Sequence, residues 1–74
     1  MDGDWIVYGT TRCPYTLRAL DLLSNRKIIH TFVNLDNYEN GREEIKQISK
    51  QQTIPVIYYN GKLIGGYTQL EQIF

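Results

Sequence analysis

The chain has 74 residues, and its eight basic and eight acidic side chains give a formal net charge of zero. Because these charges are scattered, the composition gives no electrostatic argument for binding nucleic acid or an anionic membrane. A chain of this length is expected to form one small domain over residues 1–74, which buries about 60% of its unfolded surface and encloses no large cavity. It contains neither an apolar run of about 18 residues nor a charged-then-apolar leader, so we expect no transmembrane span and no secretory signal.

The first half of the sequence predicts a strand, a helix and a second strand. A short apolar run rich in strand formers indicates a strand over residues 4–8. Leucines and an alanine at helical spacing indicate a helix over residues 14–25, with Pro14 at its first position. Residues 28–35 follow as a second strand, in which Ile29, Phe32 and Val33 are expected to be buried.

The second half predicts a helix, a hairpin and a short final helix. Either Asn37 or Asn40 can cap the helix, and Asn40 with Glu43 fits the capping-box pattern. The apolar stripe of this helix is expected to consist of Ile45 and Ile48.

Residues 54–59 and 62–64 are predicted as the two strands of the hairpin. They flank Asn60-Gly61, a strong hairpin signal. Gly65-Gly66 ends the hairpin, and Thr68 or a neighbour caps the last helix. In the resulting order, β-α-β-α-β-β-α, the first two strands are expected to be parallel with a right-handed crossover and the last two antiparallel.

Cys13 is the only cysteine in the chain, so no intramolecular disulfide can form. A lone cysteine is often a small buried hydrophobe. This one, however, lies at a strand-to-helix junction, where free N–H groups and the helix dipole stabilise a thiolate. Arg12 adds a neighbouring cation, so we expect a pKa for Cys13 below about 8.5.

A redox cycle at this single thiol has to be completed by a thiol from outside the chain. In a reducing cell the usual small-molecule candidate is glutathione. The unpaired cysteine, together with the lack of a leader, therefore predicts a cytoplasmic location.

Three ordered motifs resemble those of the glutaredoxin family. The run WIVYGTTRCPYT, residues 5–16, resembles the strand and active-site loop of glutaredoxins, whose common motif is Cys-Pro-Tyr-Cys. Thr53-Ile54-Pro55 is similar to the family's Thr-Val-Pro, in which the proline is cis, and residues 64–68 are similar to its Ile-Gly-Gly motif. The resemblance spans nearly the whole chain. It implies an α/β, thioredoxin-like fold of glutaredoxin type, with a four-stranded mixed sheet flanked by helices and a short C-terminal helix.

The resemblance also implies a glutathione site around a catalytic Cys13. Ile54 would pair its main chain with the cysteinyl part of glutathione. The γ-glutamyl carboxylate would meet the N–H groups at the start of the last helix, and Arg42 resembles the position that contacts the glycyl carboxylate. The full set expected to bind glutathione is Arg12, Tyr15, Arg42, Thr53, Ile54, Pro55, Gly66, Tyr67 and Thr68.

Each of these motifs also has a purely structural interpretation. Pro55 can mark a strand edge, Gly65-Gly66 can be a simple turn, Tyr15 can be packing surface, and Arg42 can be a solvated charge. His30 lies in no motif, and we interpret it as structural or exposed.

The sequence departs from the family pattern at several positions. Thr16 replaces the resolving cysteine, as in monothiol relatives, although the chain keeps Pro-Tyr after Cys13 instead of the Gly-Phe-Ser of the best-known monothiol motif. Thr10 occupies a place usually held by lysine or arginine, and Gln69 one where aspartate is frequent. These changes, together with a final helix that stops at Phe74, predict slower catalysis and a less stable fold than in a typical relative.

The leading functional prediction is a glutathione-dependent thiol-disulfide oxidoreductase that reduces glutathione mixed disulfides by a monothiol route through Cys13. Glutathione is its expected co-substrate, with no metal, and its expected partners are glutathionylated proteins or small disulfides, acted on by a monomer. One alternative is a dimeric [2Fe-2S] carrier with glutathione as additional ligand, which Pro14 disfavours. The other, suggested by Thr10 and Gln69, is a glutathione-binding module with weak redox activity.

Overall fold

A computed structural model describes residues 3–74, and its elements follow the order predicted from the sequence. None of the helices in this range is long and apolar enough to cross a lipid bilayer. The strands are β1 (Trp5–Gly9), β2 (His30–Asn34), β3 (Val56–Tyr59) and β4 (Lys62–Gly65). The helices are α1 (Pro14–Asn25), α2 (Gly41–Ser49) and α3 (Tyr67–Ile73), and a 3-10 turn at Leu35–Asn37 precedes α2.

The four strands form one mixed sheet in the order β2-β1-β3-β4. β1 and β2 are parallel, with Gly9 opposite Asn34, whereas β3 is antiparallel to both β1 and β4. The predicted strand directions are therefore confirmed. As a result, the C-terminal ends of β1, β2 and β4 and the N-terminal end of β3 all lie at the same end of the sheet.

The core lies on both faces of the sheet because side chains alternate along the strands. The larger cluster packs α1 and α3 against one face and contains Trp5, Val7, Ala19, Leu23, Ile28, Ile57 and Leu70. The smaller cluster lies under α2 on the other face and contains Leu35, Ile45 and Val56. The sheet is thus flanked by helices on both sides.

Two predicted core positions are wrong. Ile29 is 89% exposed and Ile48 is 72% exposed. The second strand begins only at His30, and Ile28, whose N–H donates to the Leu23 carbonyl oxygen, enters the core in place of Ile29. Ile45 alone carries the buried face of α2 among the isoleucines of that helix.

The predicted capping box at Asn40 is also wrong. Asn40 is the N-cap of α2, but its backbone is left-handed, with φ of 58°, and its side chain makes no capping hydrogen bond. The chain turns tightly here because Gly41 lies against Leu35: a Cβ at Gly41 would come within 2.7 Å of the Leu35 carbonyl oxygen. An asparagine capping bond is instead found one turn earlier, where Asn34 accepts from the Asp36 N–H.

Burial within α1 predicts how mutations in this helix affect stability. Leu23→Ala should lower the free energy of unfolding by about 2–5 kcal/mol, because Leu23 is fully buried between α1 and the sheet. Leu17→Ala, the same change in the same helix at a side chain that is 44% exposed, should cost at most about 1 kcal/mol. Urea unfolding of both variants measures the difference, and equal losses would contradict this packing.

Candidate active site

Three loops meet at the end of the sheet where β1 ends and β3 begins. The first carries Cys13, the second residues 53–55, and the third residues 65–68. The Cys13 thiol donates a long hydrogen bond to the Ile54 carbonyl oxygen, with Sγ and O 3.8 Å apart. A Cβ at Gly66 would lie 3.4 Å from the Pro55 carbonyl oxygen. The three motifs found in the sequence therefore form one site.

Cys13 is the N-cap of α1, and Pro14 takes the first helical position, as predicted. The Cys13 N–H donates to the Thr10 carbonyl oxygen at 3.2 Å, and its own carbonyl accepts from the Leu17 N–H at 3.2 Å. Its side chain is half-buried. The sulfur is thus held at the start of a helix while remaining open to a reaction partner.

The pKa of the Cys13 thiol lies below its usual value, as the sequence predicted. Burial raises this pKa, but it is outweighed by groups that can donate a hydrogen bond to the thiolate, namely the Thr16 side chain and the Thr16 and Tyr15 N–H groups. The charge of Arg42 lowers the pKa further. Hydrogen bonding at the helix start is the main reason that the thiolate is favoured.

Arg12 does not supply the cation that acts on Cys13. Its guanidinium makes two hydrogen bonds to Asp36, from Nε at 3.2 Å and from Nη2 at 3.0 Å. Arg12 is 78% exposed, so this ion pair is solvated and its main effect is to hold the Cys13 loop next to the end of β2. The prediction that Arg12 lowers the pKa of Cys13 is therefore wrong, and the charge that does so is that of Arg42.

Gln51 holds the second loop, and sequence reasoning missed it. The peptide bond between Ile54 and Pro55 is cis, as the resemblance implied. Gln51 Nε2 donates to the carbonyl oxygens of Thr53 and Pro55, each at 2.9 Å. The only signal for this role was an amide with two donors just ahead of a loop whose carbonyl groups lack strand partners.

Gln69 organises the third loop and changes one expectation for the ligand. Gly65 has a φ of 128°, which favours glycine, and Gly66 is the N-cap of α3. The Gly66 N–H donates to Gln69 Oε1 at 2.8 Å, so this donor already has a partner inside the protein. The spacing of three residues between Gly66 and Gln69 is that of a capping interaction and was the available signal.

Two tyrosines border the site on the side of α1 and α3. Tyr15 is 52% exposed, and its ring centroid lies 5.9 Å from that of Tyr67. The Arg18 guanidinium stacks on Tyr15 at 5.1 Å from the ring centroid, and the Tyr67 hydroxyl donates to Glu71 at 3.2 Å. These side chains line an open groove of about 530 Å³ between α1 and α3, and Cys13 is not among the residues that line it.

The other predicted residues lie at the margins of the site or away from it. Arg42 in the first turn of α2, Thr53 in the second loop and Thr68 in α3 are all exposed, and Pro55 is buried. His30 is the first residue of β2, and its Nδ1 lies 2.8 Å from the Ile28 carbonyl oxygen, which agrees with a structural role.

The two arginines near Cys13 should differ in their effect on its reactivity. Arg42→Gln should raise the pKa of Cys13, by less than about one unit, because it removes a cation that favours the thiolate. Arg12→Gln is the matched control and should leave this pKa unchanged, since Asp36 already neutralises Arg12. The rate of iodoacetamide alkylation, which falls as pH drops through the pKa, gives both values. An effect of Arg12→Gln alone would contradict the ion pair with Asp36.

Comparison with known proteins identifies the family. Over 65 residues the chain is 32% identical to an uncharacterized glutaredoxin-like 8.6 kDa protein of the rubredoxin operon of Clostridium pasteurianum, covering 88% of this chain and 87% of that protein. It is 31% identical to monothiol glutaredoxin-7 of Saccharomyces cerevisiae, covering 92% of this chain but only 36% of the yeast protein. A crystal structure of a buckwheat glutaredoxin-glutathione complex superposes with a TM-score of 0.84 at 25% identity, over 92% of this chain and 64% of that one. Residues 6–64 match the Glutaredoxin family model, and the chain belongs to the glutaredoxin family as a form with a single thiol.

Proposed function

We propose that the chain reduces glutathione mixed disulfides by a monothiol route through Cys13. The observation that carries this proposal is a half-buried thiol at a helix N-cap, with a lowered pKa and no second cysteine to compete for its disulfide. Glutaredoxins are a family of thiol oxidoreductases, and the match over residues 6–64 supports this general chemistry.

The proposed cycle consists of two thiol-disulfide exchanges. In the first, the Cys13 thiolate attacks the glutathione sulfur of a mixed disulfide, the substrate thiolate leaves, and Cys13 becomes glutathionylated. In the second, the thiolate of another glutathione attacks the bound glutathione sulfur, and Cys13 leaves as a thiolate. Each exchange breaks one S–S bond and forms one, so the net products are a reduced substrate thiol and oxidised glutathione.

Ile54 is well placed to hold the glutathione backbone. Its N–H makes no hydrogen bond to another backbone group within residues 3–74, and its carbonyl oxygen faces the Cys13 sulfur. An extended ligand that pairs with this main chain would carry its own sulfur next to Cys13. The buckwheat glutaredoxin that superposes on this chain was solved as a complex with glutathione, which supports glutathione as the ligand proposed here.

The remaining proposed contacts surround this central pairing. The exposed Arg42 would meet the glycyl carboxylate. Because Gln69 already occupies the Gly66 N–H, the γ-glutamyl carboxylate would rely on the N–H groups of Tyr67 and Thr68. Thr53, Pro55 and the ring of Tyr15 would form the walls, and Arg12 would reach the ligand only by leaving Asp36.

We further propose that the protein works as a cytoplasmic monomer on glutathionylated proteins and small disulfides. The residues around Cys13 would hold the glutathione half of such a disulfide. Because the Cys13 sulfur is half-exposed, the substrate part of the disulfide can vary. Selectivity would therefore lie in the glutathione part.

The first test is turnover of the mixed disulfide between glutathione and hydroxyethanethiol. The wild-type chain should reduce it in the presence of glutathione and glutathione reductase, and Cys13→Ser should lose essentially all of this activity because the nucleophile is gone. Insulin should not be reduced appreciably in the absence of glutathione, since no second thiol can resolve a protein mixed disulfide. Robust reduction of insulin under those conditions would contradict the monothiol route.

The second test restores the missing thiol. Thr16→Cys should form an internal disulfide with Cys13, because Cys13 is the N-cap of α1 and Thr16 is the third residue of that helix, one helical turn away. The variant should gain reduction of insulin that does not depend on glutathione, while mixed-disulfide turnover persists or falls somewhat as the intermediate is diverted. Mass spectrometry detects the disulfide as a loss of two hydrogens. A folded variant without it would show that the loop geometry differs.

The two alternative functions give different outcomes in related experiments. Within residues 3–74, no three His, Cys, Asp or Glu side chains come together to hold a metal ion, so an iron-sulfur cluster would need thiolates from a second chain and from glutathione. A stable brown dimer after anaerobic reconstitution with iron, sulfide and glutathione would favour the cluster carrier. A folded wild-type chain that binds glutathione without turnover would favour the binding module.

A further inference from the structure

The side-chain amide of Gln51 fixes the main chain on both sides of Ile54. Its Nε2 carries two N–H donors, and it donates to the carbonyl oxygens of Thr53 and Pro55, each at 2.9 Å. Ile54, between these two residues, directs its own carbonyl oxygen to Cys13 Sγ instead, at 3.8 Å. A single side chain therefore sets which way the peptide groups next to Ile54 face.

Gln51 is itself anchored to the end of α2. Its backbone N–H donates to Ser49 Oγ at 3.1 Å, and Ser49, the last residue of α2, is only 6% exposed. The Gln51 amide also lies against the third loop, because a Cβ at Gly66 would come within 3.7 Å of Gln51 Nε2. Gln51 thus connects α2 with the two loops that are proposed to hold glutathione.

The hydrogen bond from Gln51 to Thr53 determines the direction of the Ile54 N–H. The Thr53 carbonyl and the Ile54 N–H belong to one planar peptide unit, and in a trans unit these two groups point in opposite directions. Within residues 3–74 the only cis peptide bond is the next one, between Ile54 and Pro55. Because the Thr53 oxygen faces Gln51, the Ile54 N–H points away from Gln51, and it makes no hydrogen bond to another backbone group in this range. Gln51 thereby orients a donor that is free to bind a ligand.

We propose that Gln51 is a positioning residue that makes the protein selective for disulfides with a peptide main chain next to their sulfur, as in glutathione. Such a ligand pairs with the Ile54 main chain that Gln51 orients, and this pairing brings the ligand sulfur to Cys13. A disulfide without peptide groups gains nothing from the pairing, so its rate depends on the Cys13 thiolate alone. The identity of the ligand rests on the proposed function, but the role of Gln51 can be tested on the first thiol-disulfide exchange without turnover.

Gln52 provides a matched control at the next position. It is also a glutamine, but it is exposed, and its side chain makes no hydrogen bond within residues 3–74. Gln51 is not among the groups that act on the Cys13 thiol, so its replacement should leave the thiolate unchanged. Replacing either glutamine by methionine removes an amide and keeps the length of the side chain. The two variants therefore differ in whether the hydrogen bonds to the second loop are lost.

The test compares two disulfides in a single turnover with Cys13, in which mass spectrometry follows formation of the adduct. In each case the Cys13 thiolate forms a bond with one sulfur, the original S–S bond breaks, and the other half leaves with the electron pair as a thiolate. With oxidised glutathione below saturation, Gln51→Met should slow adduct formation about tenfold, because two hydrogen bonds that hold the pairing segment are lost. With the disulfide of hydroxyethanethiol, which has no peptide group, the rate should stay that of the wild type. Gln52→Met should leave both rates unchanged.

A milder variant completes the comparison. Gln51→Asn keeps the amide but draws it back from the two carbonyl oxygens, so it should slow the glutathione reaction by a smaller factor and leave the other reaction unchanged. Urea unfolding reports whether each variant is folded, and Gln51→Asn carries the comparison if Gln51→Met does not fold. Equal slowing with both disulfides, wild-type rates in the folded Gln51 variants, or the same slowing in Gln52→Met would overturn the proposal. If the loss is selective but the wild type turns over no mixed disulfide with reduced glutathione, the proposed function fails and the role of Gln51 stands.

Discussion

The antiparallel pairing of β1 with β3 is the constraint on which the site depends. Tyr8 lies opposite Val56, so the last residues of β1 are next to the first residues of β3. The loop that leaves β1 must then meet the loop that enters β3, and Cys13 comes to lie beside Ile54. β4 runs antiparallel to β3, so the glycine turn that follows β4 lies at the same end of the sheet. No long connection is needed, which explains how a chain of 74 residues can assemble a three-loop site.

Within this frame, the thiolate is favoured by short-range interactions. The chain has no net charge, so no overall field favours an anion at Cys13. Burial of the sulfur acts against ionisation, and only groups in direct contact or nearby oppose it. Most of these groups belong to the first turn of α1, which the pairing of β1 and β3 orients towards the site. Arg42, in α2, also lowers the pKa of Cys13, whereas Arg12 forms an ion pair with Asp36.

Sequence reasoning succeeded where the information is local. Element order, the N-cap position of Cys13 and the hairpin at Asn60-Gly61 each depend on neighbouring residues, and the structure has all three. It failed at Arg12, where a tertiary contact decides: the partner of Arg12, Asp36, lies 24 residues away in sequence and is brought near only by the parallel register of β1 and β2. It also missed the hydrogen bonds of Gln51 and Gln69, although each of them spans only two to four residues.

The failure at Asn40 shows the same competition in a single turn. Its side chain and its spacing to Glu43 favoured a capping box, but close packing of Gly41 on Leu35 fixed a left-handed backbone at Asn40 instead. A capping bond contributes about 1 kcal/mol, which is less than the cost of separating a packed helix from its neighbour. Tertiary packing therefore overrides a local signal of this size.

The unpaired buried hydroxyls show where this small domain departs from full satisfaction of its polar groups. Thr10 and Thr16 lie on either side of Cys13, and each leaves an Oγ1 without a partner. An unsatisfied buried polar group costs about 1–3 kcal/mol, a large fraction of what a domain of this size has to spare.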